Sequence, residues 1–119
     1  MIVAGFGFRS GATVQSLASA LAATGITPDA LASIADKCAS PAFVTLAGRL
    51  NLPIIPVPPE DLPRSTPTRS TASLAARETG SVAEASALAA AGPGAHLLIA
   101  RQIAPDRQST CAIAEGATP

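Results

Sequence analysis

Three places in the sequence put residue types at spacings that could do chemistry. The first is Gly5-Phe6-Gly7-Phe8-Arg9-Ser10-Gly11, lying between an apolar run and a helical pattern. Glycines let backbone N–H groups come close to a ligand, and the start of the following helix favours an anion. Arg9 adds a planar donor fork suited to carboxylate or phosphate. A dinucleotide-binding turn would want its third glycine where Ser10 stands, and Gly11 comes one position late. A nucleotide-binding module is therefore the weaker use of this turn. The second place is Thr79-Gly80-Ser81, with Glu84 three residues after Ser81: a capping-box spacing that opens another helix with two hydroxyls near its N-terminus. The third is the pair of cations Lys37 and Arg101, each following an apolar run. Each place also has a purely structural reading, as a tight turn, an ordinary capping box and two solvated cations respectively.

Other chemistry has less to stand on. His96 is the sole histidine, and Asp36-Lys37 reads as a surface pair. Nucleophile-elbow, zinc-protease and P-loop patterns are absent from the sequence. Cys38 and Cys111 have no metal-knuckle or redox-pair spacing and are expected to be free thiols. Neither a metal nor a cofactor is expected.

These residues must be positioned by the elements around them. Residues 2–8 form a short apolar run that predicts a strand. Apolar positions Val14, Leu17, Ala18, Leu21 and Ala22 predict a helix from Gly11 to Ala23, closed by Gly25. Thr27-Pro28-Asp29 has the residues for a brief helical turn. Ala30–Ala35 is short and fits a strand or a helix, with a second strand the better fit between two helices; Pro41 opens a helix to about Leu50, with Ser40 as its cap and Asn51 as its end. Residues 53–57 make a third short strand whose prolines remove ladder donors, so it should sit near an edge or be covered irregularly. Residues 58–72, with four prolines among Ser, Thr and Arg, read as a long polar loop able to cover a ligand. A helical turn at 73–77, the helix after Ser81 and a closing hairpin of strands at 96–100 and 110–114 complete the pattern. The alternation predicts an α/β fold: one compact domain over 1–119, three layers α/β/α, with a mixed sheet of about five strands. In such sheets ligands bind beyond the carboxyl ends of the strands, where both helix starts would lie.

Composition narrows the function. The chain has 119 residues, no formal net charge and 13% charged residues, which argues against a nucleic-acid partner. It has 27 alanines, as many as Leu, Ile, Val and Phe together, so helices should pack close to the sheet over a thin core. The N-terminal residues do not form a signal peptide and no apolar stretch is long enough to span a bilayer, so a cytoplasmic location away from membranes is expected.

Four stretches taken in order, GFGFRSG, ASIADK before an amphipathic helix and NLPI, ETGSVAEASAL, and LLIARQ with TCAIAEG, resemble the CobE family. That family is a stand-alone version of the CbiG C-terminal domain of cobalamin biosynthesis. The likeness runs from about residue 2 to 115 and implies a compact α/β fold with a mixed sheet. It implies a role in corrin-ring synthesis, binding or handing on a corrinoid or precorrin intermediate, with other enzymes of the cobalamin pathway as candidate partners. The alternative is a hydrolase opening the lactone of cobalt-precorrin-5A; whether the chain is an enzyme is left open. The family's glycine-arginine turn falls on Gly5, Gly7, Arg9 and Gly11, with Ser10 inside it; its lysine falls on Lys37, and its helix start on Thr79, Gly80, Ser81 and Glu84. Two departures stand out. Lys37-Cys38-Ala39-Ser40-Pro41 lacks the carboxylates common after that lysine, and Arg101 stands where a lysine is common. The second keeps the charge but removes amine nucleophile chemistry. A corrin precursor is a flat apolar ring edged with carboxylates, and Arg9, Lys37 and Arg101 with two helix starts would suit it.

Overall fold

Strand β1 (Ile2–Phe8) alternates in the two-residue period of a strand: Ile2, Ala4, Phe6 and Phe8 pack into one layer of core, while Val3 packs into another. It is the third of five strands in the order β3-β2-β1-β5-β4. The others are β2 (Ala30–Ile34), β3 (Ile54–Val57), β4 (His96–Ile103) and β5 (Ser109–Glu115). The computed structural model describes residues 1–61 and 82–116.

Strands β1, β2 and β3 are parallel and are joined by helices α1 (Val14–Thr24) and α2 (Pro41–Leu50). Both crossovers step in the same direction along the sheet, which places both helices on one face. Leu17, Ala20 and Leu21 of α1 and Phe43, Leu46 and Ala47 of α2 bury there against Ala4, Phe6, Leu31 and Ile113. Helix α3 (Val82–Ala91) comes after β3 and covers the other face, with Ala85 in a core of Val3, Ala32, Ile34 and Val57. The result is the expected α/β/α sandwich. Strand β5 runs antiparallel to both β1 and β4, so the sheet is mixed and the last two strands form a hairpin, as read from the sequence.

Local signals account for most element ends. Gly25 closes α1 at φ 70°, and Asn51 closes α2 at φ 56°, a left-handed position that asparagine tolerates. Pro41 takes the first turn of α2, where its missing N–H costs nothing. Strand β3, with Pro56 inside it, is an edge strand as expected.

Three expectations are corrected. Helix α1 begins at Val14 and not Gly11, because the side chain of Thr13 accepts from Ser16 N and caps it there. Thr27-Pro28-Asp29 makes no helical turn, because Asp29 is tied to β1 by Ile2 N donating to its Oδ2 at 2.8 Å and by its own N–H to Ile2 O. Ser40 stands at the N-cap of α2 as expected, without a side-chain cap hydrogen bond. Strand β4 continues to Ile103, so Arg101 lies inside a strand. The expected loop 58–72 is described only to Asp61, where Pro59–Asp61 forms a 3-10 turn, and the helical turn at 73–77 falls outside the described residues.

Candidate functional site at the carboxyl edge of the sheet

The parallel strands β1, β2 and β3 all end at one edge, and the β4–β5 turn returns to the same edge. Among the described residues this rim gathers Arg9, Ser10 and Gly11 after β1, Asp36 and Lys37 after β2, Glu60 and Asp61 after β3, and Asp106 and Arg107 in the β4–β5 turn. Glu60 and Asp61 are the carboxylates after β3, Asp36 and Lys37 stand together after β2, Arg9 follows β1, and Asp106 and Arg107 share the hairpin turn. Helix α1 starts beside the end of β1. The start of α3 lies over it from the other face, since a Cβ built on Gly7 would stand 3.4 Å from Val82 Cβ. Thr79, Gly80 and Ser81 lie outside the described residues.

Lys37 is the best-placed cation. The 3-10 turn Ala35–Lys37 carries it from the end of β2 across to β1, where Nζ sits 5.5 Å from the centroid of the Phe8 ring. That is cation–π range. Phe8 packs on Phe43 at 5.5 Å, and Phe43 meets Phe6 edge-on at 5.4 Å. A partly exposed ring with a cation on it, anchored in the core by two more rings, thus sits at the rim next to exposed Arg9.

The Arg9 loop is fixed from two sides. Arg9 N donates to Gln108 O at 3.0 Å, which extends the β1–β5 ladder by one step, and Ala12 N donates to Arg9 O at 3.0 Å. Asp106 Oδ1 accepts from Ser16 Oγ at 2.7 Å and from Gln108 N at 3.1 Å, and Ser16 Oγ also meets Ser109 Oγ at 2.9 Å. The first turn of α1 therefore already holds one of the protein's own carboxylates. The Gln108 N–H first, and the Ser16 hydroxyl second, hold Asp106 below the usual carboxylate range. A carboxyl whose pKa is lowered by folding favours the folded state above its unfolded value, near about 3.9, and loses that contribution as pH falls through the folded value. Asp106→Asn should therefore differ most from wild type in urea midpoint at neutral pH, with the gap closing as pH falls through the lowered carboxyl pKa. A gap independent of pH would mean that the ionised carboxylate contributes nothing.

Several expected site residues have a packing role. Gly5 is buried under α3: a Cβ there would meet Ala83 O, Ala87 N at 2.5 Å and Ala87 Cβ at 2.8 Å. It makes room for a helix backbone. Gly7 does the same more loosely, with Thr110 Oγ1 at 3.1 Å from such a Cβ. Glu84 is 0% exposed, and its Oε2 accepts from Arg101 N at 2.9 Å, so it ties α3 to β4. Arg101, half-buried and on the edge strand away from β1, has its Nε buried without a hydrogen-bond partner among the described residues. The structure thus brings Arg9, Ser10, Gly11 and Lys37 to one rim and leaves Gly5, Glu84 and Arg101 in the scaffold. Sequence reasoning passed over Arg107, which the hairpin turn carries to the same rim. Both cysteines are free, and burial raises the thiol pKa of each.

An apolar groove lined by Ala18, Leu21, Ala22, Ile26, Leu46 and Leu50 lies toward the C-terminal end of α1, away from the rim. Among the described residues no group of three His, Cys, Asp or Glu could hold a metal ion, and no helix is long and apolar enough to cross a membrane.

A mixed five-stranded sheet between two helix layers, with charged loops at one edge, defines a small α/β/α domain. Residues 2–114 match the family model for the cobalamin synthesis G C-terminus, and the chain belongs to that family of cobalamin-biosynthesis proteins. Two solved structures are similar over essentially the whole chain. One is CobE, described as a protein from the cobalamin (vitamin B12) biosynthetic pathway: 33% identity, TM-score 0.83, covering 100% of this chain and 92% of that one. The other is the cobalamin biosynthesis protein chiG from Agrobacterium tumefaciens str. C58: 33% identity, TM-score 0.75, covering 99% and 100%. No curated protein sequence matches the chain.

Proposed function

We propose that the protein binds a corrinoid or precorrin intermediate at the carboxyl rim and acts as a carrier or accessory factor in corrin-ring synthesis, passing its ligand to another enzyme of the pathway. The observation that carries this reading is the Lys37–Phe8 contact beside exposed Arg9. A half-buried ring at the rim with one cation over it, and a second, exposed cation on the next residue, offers contacts that a flat apolar ring edged with carboxylates could use. Family membership supports the pathway, and the rim supports the chemical class of ligand.

Titrating the protein with hydrogenobyrinic acid, a cobalt-free corrin bearing free carboxylates, is expected to shift the visible absorbance of the ligand to a saturable end point. Arg9→Ala should weaken binding by about 1.5–3 kcal/mol, the range for a lost charged hydrogen bond, or about 10- to 150-fold. Unchanged affinity in that variant removes Arg9 from the site. Release of acetaldehyde from cobalt-precorrin-5A by the pure protein would replace the carrier reading with lactone hydrolysis. The run Lys37-Cys38-Ala39-Ser40-Pro41 offers that reaction no carboxylate base.

A further inference from the structure

The β4–β5 turn carries a residue that a tight turn alone does not call for. Arg107 has φ 60°; among the described residues the only other non-glycine with positive φ is Asn51, whose type tolerates that region. Glycine would take the position without strain. An arginine held there suggests a use for its side chain, and Arg107 is exposed.

The surroundings say what that use is. The turn is clamped by Arg107 N to Ala104 O at 2.8 Å and by Ala104 N to Ser109 O at 2.9 Å. Arg9 N to Gln108 O joins it to the Arg9 loop, so the two arginines stand on adjoining loops of neighbouring strands. The carboxylate nearest in sequence, Asp106, is engaged by Ser16 and the Gln108 N–H. The remaining rim carboxylates lie further along the sheet: Asp36 beside Lys37 after β2, and Glu60 and Asp61 after edge strand β3. Arginines on two clamped loops can grip two carboxylates of one ligand, each by a planar fork.

We propose that Arg107 is a second anion-binding arm of the rim, acting with Arg9 on separate carboxylates of a single polycarboxylate ligand. In its choice of ligand this rests on the corrinoid reading above.

The test uses the full chain as wild type, Arg107→Gly, Arg107→Lys and Arg9→Ala. Glycine suits the backbone at 107, so Arg107→Gly should melt at or above the wild-type temperature. Two probes are titrated, hydrogenobyrinic acid and benzene-1,2,4,5-tetracarboxylate, at low and at high salt. Arg107→Gly is expected to bind hydrogenobyrinic acid about three- to tenfold more weakly at low salt, with the difference shrinking at high salt. Arg107→Lys should recover only part of it, because an ammonium lacks the planar fork. Wild-type affinity in Arg107→Gly, with the corrin still bound, overturns the Arg107 assignment and leaves the corrinoid reading standing. If wild type ignores the corrin but binds the tetracarboxylate in an Arg107-dependent way, the corrinoid reading falls and the assignment holds. Binding of neither probe overturns both.

Discussion

Gly5→Ala is expected to destabilise the fold by about 3 kcal/mol, at the upper end of what overpacking costs, because the added methyl meets helix backbone. In an open strand the same change would stabilise by roughly 0.5–1 kcal/mol through lost backbone entropy. Here the obstruction wins. Ala83 O and Ala87 N belong to α3 and can move away only if the whole helix does. Gly11→Ala supplies the contrast. Its backbone is outside the left-handed region and a Cβ would meet nothing within 4 Å, so that variant should be neutral to slightly stabilised. Urea midpoints for the two variants separate the possible roles of the glycine-rich turn. If Gly5 served ligand approach, Gly5→Ala would unfold like wild type and lose binding alone.

The second large effect is expected at Phe43. Its ring is fully buried and is the only contact joining Phe6 to Phe8 among the ring pairs of the described residues. Phe43→Ala should cost about 3–5 kcal/mol, the usual loss for truncating a core aromatic. Phe43→Leu keeps most of the volume and should cost about 1 kcal/mol, so it remains folded for binding work. Because Phe8 rests on Phe43 and Lys37 lies on Phe8, the leucine variant should also bind hydrogenobyrinic acid more weakly than its small loss of stability explains. Denaturant titration measures the first effect, and the absorbance titration the second.

Most of the architecture was legible because local signals and global fold agree. Hydrophobic spacing marked both crossover helices, Gly25 and Asn51 marked their ends, and the prolines around Ile54 marked an edge strand. The site was harder. In Gly5-Phe6-Gly7-Phe8 the glycines drew a ligand-binding reading, yet the two-residue alternation is that of a strand with aromatics on one face and bare backbone on the other. The matching clue lay far along the chain, in the alanine-rich run 82–91, a helix slim enough to sit against glycine. Glu84 fitted a capping box by spacing, but its carboxylate also serves a strand that comes later in the chain, which spacing cannot show. Arg107 went unnoticed because positive φ at an arginine has no sequence signature, and its closeness to Arg9 depends on β5 pairing with β1.

That pairing has a consequence for biosynthesis. Strand β5 lies between β1 and β4 and is matched to β1 over seven residue pairs, from Ile2 with Glu115 to Phe8 with Ser109. Until residues 109–115 are delivered, the emerging polypeptide has the three parallel strands β3, β2 and β1 and a lone β4 with no neighbour to pair with. Closure across so long a stretch of chain is entropically slow. The domain should therefore stay open to chaperones and proteases until residues 109–115 have emerged and can pair with β1.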